Sequence, residues 1–170
     1  MTGKIVLCTD YSSGFGAIDA YRLCISHFYP DFDDWFSKKV LPDMGITRQI
    51  LFFIGDDGSV QGAEVLKDSP AEKKICAIRV LPKYREQGIG TMLVGAALDV
   101  LGTAYPLITT PEEINDSFEG IFKYFNFKLE GVYNNYYREG IREFSYNGLL
   151  RPSYETPWKK ETETMQLMGI

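Results

Sequence analysis

Residues 80–93 read VLPKYREQGIGTML and concentrate the residue types that can hold an anion. Arg85 precedes Gly88 and Gly90, and the apolar periodicity that begins at Gly88 runs on to Leu101. The first amides of a helix have no internal acceptor, and the helix dipole favours negative charge at that end. Glycine lets a phosphate approach the main chain closely, because no β-carbon stands in the way. The chemistry expected here is main-chain capture of a phosphate or diphosphate. Two other phosphate motifs do not fit. No Gly-x-x-x-x-Gly-Lys-Ser/Thr run exists, and the third glycine of the dinucleotide turn is missing.

Other reactive residue types are sparse. Cys8, Cys24 and Cys76 are widely spaced with no Cys-x-x-Cys pair, which suits buried small side chains in a reducing compartment. With His27 as the sole histidine, a zinc site would need scattered cysteines and carboxylates, so no metal is expected. The run DFDDWF at residues 31–36 lacks the ligand spacing of a calcium loop and reads as an acidic helix start. A net charge of -5 makes nucleic acid an unfavoured partner, since binding to phosphate backbones is mostly electrostatic. The longest apolar run, residues 50–54, is far short of the ~20 residues a spanning helix needs. No apolar signal-peptide core follows Lys4, so the expectation is no membrane and a cytoplasmic location.

The elements that must position the glycine loop can be traced on either side of it. With 170 residues, 45% of them hydrophobic, the chain suits one compact domain. Residues 4–10 suit a strand, residues 17–29 and 33–41 helices, and residues 48–54 and 60–67 two strands joined by the Asp57-Gly58 turn. A turn over residues 68–72 contains Pro70. Residues 73–80 have a continuous apolar centre, 75–78, expected of a strand covered on both faces. A helix over 88–101 with Gly102 as its C-cap, a strand over 105–110 and a helix over 117–125 follow. A hairpin of residues 129–137 and 141–146 ends the pattern. This order implies an α/β or α+β sheet with helices on its faces.

Within that order REQGIG resembles the Arg/Gln-x-x-Gly-x-Gly/Ala motif of the GNAT superfamily of N-acetyltransferases, preceded by the family's Val-x-Pro at Val80–Pro82. The resemblance spans residues 4–147. It implies a mixed, mainly antiparallel sheet of about six to seven strands in a domain of residues 1–147, with residues 148–170 as an extension. It also implies acetyl-CoA as co-substrate. The loop Arg85, Glu86, Gln87, Gly88, Ile89, Gly90 and Thr91 would take the pyrophosphate, and the backbone of Ile78, Arg79 and Val80 the pantetheine arm. Lys83 and Lys123 are further cations on that side.

The family's second signature is Asn, an apolar residue three later, Tyr seven later and Gly-Phe at eleven and twelve. Asn115, Phe118, Phe122, Asn126 and Phe127 hold those places. Asn115 would meet the coenzyme, and Asn126 can adopt the left-handed conformation of the missing glycine. Phe122 lines the same coenzyme region but cannot protonate a leaving thiolate as tyrosine does. Tyr124 lies about 200° around the helix from it and should face elsewhere. Ser117 or water is the alternative acid, and Glu64, beside the strand that would hold the thioester, is the candidate base.

The acceptor would be a primary amine of a small molecule or protein, met by the aromatic-rich first helices and final hairpin. A coenzyme A sensor or scaffold of weak catalytic power is the alternative reading that Phe122 motivates. A transferase acting on charged tRNA is disfavoured by the acidic composition. The hairpin edge and the C-terminal segment are compatible with a homodimer.

Overall fold

The computed structural model describes residues 2–10 and 29–151. The expected helix over residues 17–29 lies almost wholly outside them, as do His27, Cys24 and residues 152–170.

The first strand, β1 (Gly3–Cys8), pairs antiparallel with β2 (Arg48–Gly55), which pairs with β3 (Val60–Ser69), which pairs with β4 (Glu72–Val80). Beyond β4 come β5 (Leu107–Pro111), β6 (Leu129–Asn134) and β7 (Arg142–Tyr146). The seven strands form one sheet in the order β1-β2-β3-β4-β5-β7-β6, in which only β4 and β5 run parallel. The Asp57-Gly58 turn joins β2 to β3 as its sequence requires, with Gly58 at a φ of 80°.

The apolar run of β2 explains why both sheet faces are covered. Leu51 and Phe53 point one way and Ile50 and Phe52 the other, and all four are buried. On the first face α2 (Ile89–Leu101) and α3 (Glu112–Tyr124) pack through Leu93, Ala97, Leu101 and Phe122 against Leu51, Leu66 and Ile75. On the second, Phe32, Phe36 and Val40 cover Ile50, Phe52 and Val65. A fully buried side chain of this size contributes about 1.5–3 kcal/mol.

The segment that supplies those three residues departs from the regular helix expected over 33–41. Only Phe32–Trp35 (α1) is α-helical; Phe36–Val40 widens into a π-turn and Leu41–Asp43 tightens into a 3-10 turn. Pro42 accounts for the change, because it has no N–H to give back and its ring crowds the preceding turn. The wide turn still keeps Phe32, Phe36 and Val40, spaced four apart, on the buried side.

The helix expected over 117–125 begins five residues earlier, at Glu112, with Pro111 before it and Glu112 and Glu113 in its first turn. That is the favoured chemistry of a helix start. Its end behaves as expected: Asn126 takes a φ of 56°, while the Phe127 amide donates to Phe122 O at 2.8 Å. The domain's packing continues past residue 147, since Leu150 is buried against Leu107 and Tyr136. No helix among the described residues is long and apolar enough to cross a membrane.

Because Phe36 has no exposed surface, Phe36→Ala should lower stability by about 3–5 kcal/mol, read as a lower urea midpoint with an unchanged slope.

Candidate active site

The parallel pair β4 and β5 touches at only two positions, Lys74 with Leu107 and Ile75 with Ile108. The cause lies on the other edge of β4. In its register with β3, Leu66 faces Ile75 and Val65 faces Ala77, so Cys76 is an extra residue, a β-bulge. A bulge bends its strand, and the two strands part directly after it. It also resets the alternation, so that Ile75 and Ile78, three apart, both join the core under α2 and α3. The apolar run 75–78 thus belongs to a central strand covered on both faces, with Cys76 and Ala77 packed on the side opposite Ile75 and Ile78, and with a bulge inside it. The resulting notch is walled by Ala77, Ile78 and Arg79 on one side and Thr109, Thr110 and Pro111 on the other, with Tyr29, Ile114 and Phe118 across it.

At the far end of β4 the chain turns through Pro82–Tyr84 into the loop before α2. Glu86 and Gly88 both have positive φ, 60° and 83°, which folds the loop back on itself. Among the described residues, none of the main-chain amides of residues 86–91 donates a hydrogen bond. A β-carbon on Gly88 would point into open space, whereas one on Gly90 would come within 2.9 Å of Ile121 Cδ1. The two glycines therefore serve different ends: Gly88 shapes the anion loop and Gly90 admits α3. Arg85 Nε donates to Val80 O at 3.4 Å, which draws its exposed guanidinium toward the end of the notch.

On the α1 side of the sheet the notch meets a larger cavity of about 540 Å³, and Tyr29 and Ala77 line both. Its walls include Trp35, Arg48, Lys74, Cys76 and Tyr137. At the junction the Tyr29 hydroxyl donates to buried Glu143 Oε1 at 3.4 Å. Burial pushes the Glu143 carboxyl up, and bonds from Thr109 and Tyr29 with the charges of Lys74 and Arg138 pull it back, leaving it at about 7. The same burial, reinforced by Glu143, holds the Tyr29 phenol well above its ordinary range. A hydroxyl that faces two cavities, backed by a carboxylate that titrates near neutrality, is suited to moving a proton.

The sequence model of the Acetyltransferase (GNAT) family matches residues 17–109, more than half of the chain. The chain belongs to the GNAT acetyltransferase family. Its enzyme class is that of an acyltransferase. No curated protein matches the chain. Among solved structures it resembles the ribosomal-protein-S18-alanine N-acetyltransferase from Escherichia coli, with a TM-score of 0.66 and 14% identity over 87% of this chain and 97% of that one. A Bacillus subtilis acetyltransferase in complex with CoA gives a TM-score of 0.62 and 15% identity over 88% of this chain and 100% of that one. Nourseothricin acetyltransferase gives 0.52 and 21% over 59% of this chain, which spans 64% of that protein's length. At these identities the likeness is one of fold.

The residues expected to serve a GNAT reaction divide into two groups. Ile78, Arg79 and Val80 at the notch, and Arg85 to Thr91 at its end, lie along one path. Asn115 is adjacent, its Oδ1 accepting from Thr110 Oγ1 at 2.7 Å and from the Tyr146 hydroxyl at 2.9 Å. Phe122 is instead a core residue, packed on Phe118, Phe127 and Tyr146. Ser117 is exposed, is not among the residues that wall the notch, and donates its hydroxyl proton to Ile114 O at 2.6 Å. Tyr124 is exposed, as its angle from Phe122 requires.

Glu64 does stand beside Ile78 in the sheet register, as its position suggested. However, its cross-strand neighbours Leu51 and Ile78 belong to the core under α2 and α3, so it faces away from the larger cavity. It is fully buried, neither carboxylate oxygen has a partner among the described residues, and it walls neither cavity. Sequence reasoning counted Tyr29 only among the aromatic residues of the acceptor end, with no role in proton transfer, and passed over Thr109 and Glu143. The one signal for Glu143 was a carboxylate inside the short alternating strand REFSY.

Burial alone raises Glu64 to about 8. The folded protein then holds a proton that the unfolded chain releases above the ordinary carboxyl pKa, so this group's contribution is present at low pH and is lost as pH rises toward 8. Glu64→Gln should therefore gain stability relative to the parent between pH 5 and 8, by up to about 1.4 kcal/mol per pH unit, in urea titrations at each pH.

Proposed function

We propose that the chain is an acetyl-CoA-dependent N-acetyltransferase that moves an acetyl group directly to a primary amine. The observation that carries this reading is continuity. Unpartnered amides open α2, the notch between β4 and β5 leads away from them, and the Tyr29–Glu143 pair stands where the notch enters the larger cavity.

Acetyl-CoA supplies the acyl group as a thioester. The amides of residues 87–91 hold its diphosphate in the dipole field of α2, and Arg85 adds a charge at the same end. The notch encloses only about 20 Å³, so an arm lying along Ile78 to Val80 requires the wall across it, at Phe118, to give way. The amine nitrogen attacks the acyl carbon as its C–N bond forms and the C–S bond breaks. A main-chain amide near Ile78 meets the charge that develops on the acyl oxygen. The amine's proton passes to the Tyr29 oxygen while the Tyr29 hydroxyl gives its own to Glu143. The geometry thus favours Glu143, not Glu64, as the final acceptor, and Tyr29 as the residue that touches substrate. The leaving thiolate has a modest pKa and takes a proton from water, so neither Ser117 nor a tyrosine at 122 is required.

Two outcomes follow. Gly88→Asp, which puts a carboxylate where the diphosphate sits, should abolish CoA binding in calorimetry; a parental affinity would contradict the placement. Glu143→Gln should lower kcat about 10²–10⁴-fold in a thiol-release assay over an amine library, and remove the rise in rate centred near pH 7. CoA binding without turnover of any amine would favour the sensor reading.

A further inference from the structure

The larger cavity has a charge pattern of its own. Arg48 faces Lys67 across β2 and β3, and Lys67 faces Lys74 across β3 and β4, so three cations stand side by side on the cavity face of the sheet. Like charges directly opposite one another destabilise a sheet, so such a row calls for anions. Among the described residues few are supplied. Lys67 is bonded to Glu72 at 2.8 Å, and Lys38 at the rim to Asp34 at 2.7 Å. Glu72 is shared: burial would raise its pKa, but the Lys67 bond and the charges of Lys74, Lys67 and Arg151 bring it below the usual range.

That leaves Arg48 and Lys74 without a carboxylate bonded to either among the described residues. Arg48 Nη1 donates to Cys76 Sγ at 3.0 Å, its guanidinium lies 5.7 Å from the Trp35 ring, and its buried Nε has no partner among the described residues. Lys74 Nζ donates to the Tyr137 hydroxyl at 3.2 Å. Burial works against its charge, but Tyr137, Cys76 and Glu72 more than offset that, so it stays cationic. Tyr137 lies in turn edge-on to Tyr29, 5.7 Å away, which joins this corner to the acyl-transfer junction. Arg48 Nε is a buried donor beside a cavity that the same side chain lines, and an acceptor oxygen seated against the guanidinium would satisfy it.

We propose that Arg48 and Lys74 seat a carboxylate of the acceptor, so that the amine substrate is an amino acid or another small amino-carboxylate. The inference rests on the transferase reading for what happens to the amine, but the seat itself is a binding site. A cavity of about 540 Å³ has room for a molecule of that size, and a planar carboxylate matches the fork of an arginine. Polyamines, with no anionic group, have nothing to neutralise the row.

The test is calorimetric titration of the CoA-saturated protein with N-acetyl-L-amino acids and their carboxamides, which have the reaction product's shape and need no turnover. At least one acid should bind about tenfold or more tighter than its amide, the scale of charge-assisted bonds, and Arg48→Gln and Lys74→Met should each reduce that preference severalfold with CoA affinity unchanged. Arg48→Lys, which keeps charge but loses the fork, should retain part of the preference. Equal binding of every acid and its amide by the parent protein would overturn the seat, as would a preference that survives in both Arg48→Gln and Lys74→Met. Failure of the transferase reading looks different: no amine then releases thiol, or CoA does not bind, while the carboxylate preference persists in titrations of the protein with or without CoA, which still supports the seat.

Discussion

The site depends on one interaction that is cut short, the pairing of β4 with β5. Two register pairs hold the parallel strands together, and the bulge at Cys76 then turns β4 away before a third can form. A parallel sheet normally continues its ladder to the strand ends, because unpaired buried peptide groups are unfavourable. Here the ladder is exchanged for an opening through the sheet. The opening connects two surfaces that the rest of the fold keeps apart, the helix-covered face with its anion loop and the face that carries the larger cavity.

Around that opening the two ends differ in chemistry. The loop before α2 offers main-chain donors and positive φ, a geometry indifferent to what lies beyond the phosphates. The cavity side offers side chains in a confined, partly desolvated setting, where burial raises Glu143 and the cross-strand cations meet. The first arrangement suits a phosphate whatever molecule carries it, and the second suits a ligand of more particular shape and charge.

The loop was legible because its signals are local. Gly88, the following apolar stripe and Gly102 mark helix entry, buried face and helix exit from their own positions, whereas Gly90 turns out to make room for Ile121 of α3, a contact no local signal shows. Asn126 was equally legible, since a left-handed residue after a helix has few alternatives to glycine. What sequence could not give was which face of a strand the reactive residues occupy. Glu64 sits correctly beside Ile78, yet the bulge and the β3 alternation send it under α2. Glu143 alternates with Phe144 as a solvent-facing residue would, yet it is buried on the face where Tyr29 meets it. Pro42 carried a readable signal for the loosened end of α1, as Pro111 and two glutamates did for the start of α3.

The central claim is that the opened β4–β5 seam and the amides before α2 form one coenzyme path. A crystal structure with acetyl-CoA tests it most directly. The account predicts the diphosphate within hydrogen-bond distance of the amides of residues 87–91, and the thioester beside Tyr29. A diphosphate bound elsewhere, or an acyl group remote from Tyr29, would contradict it.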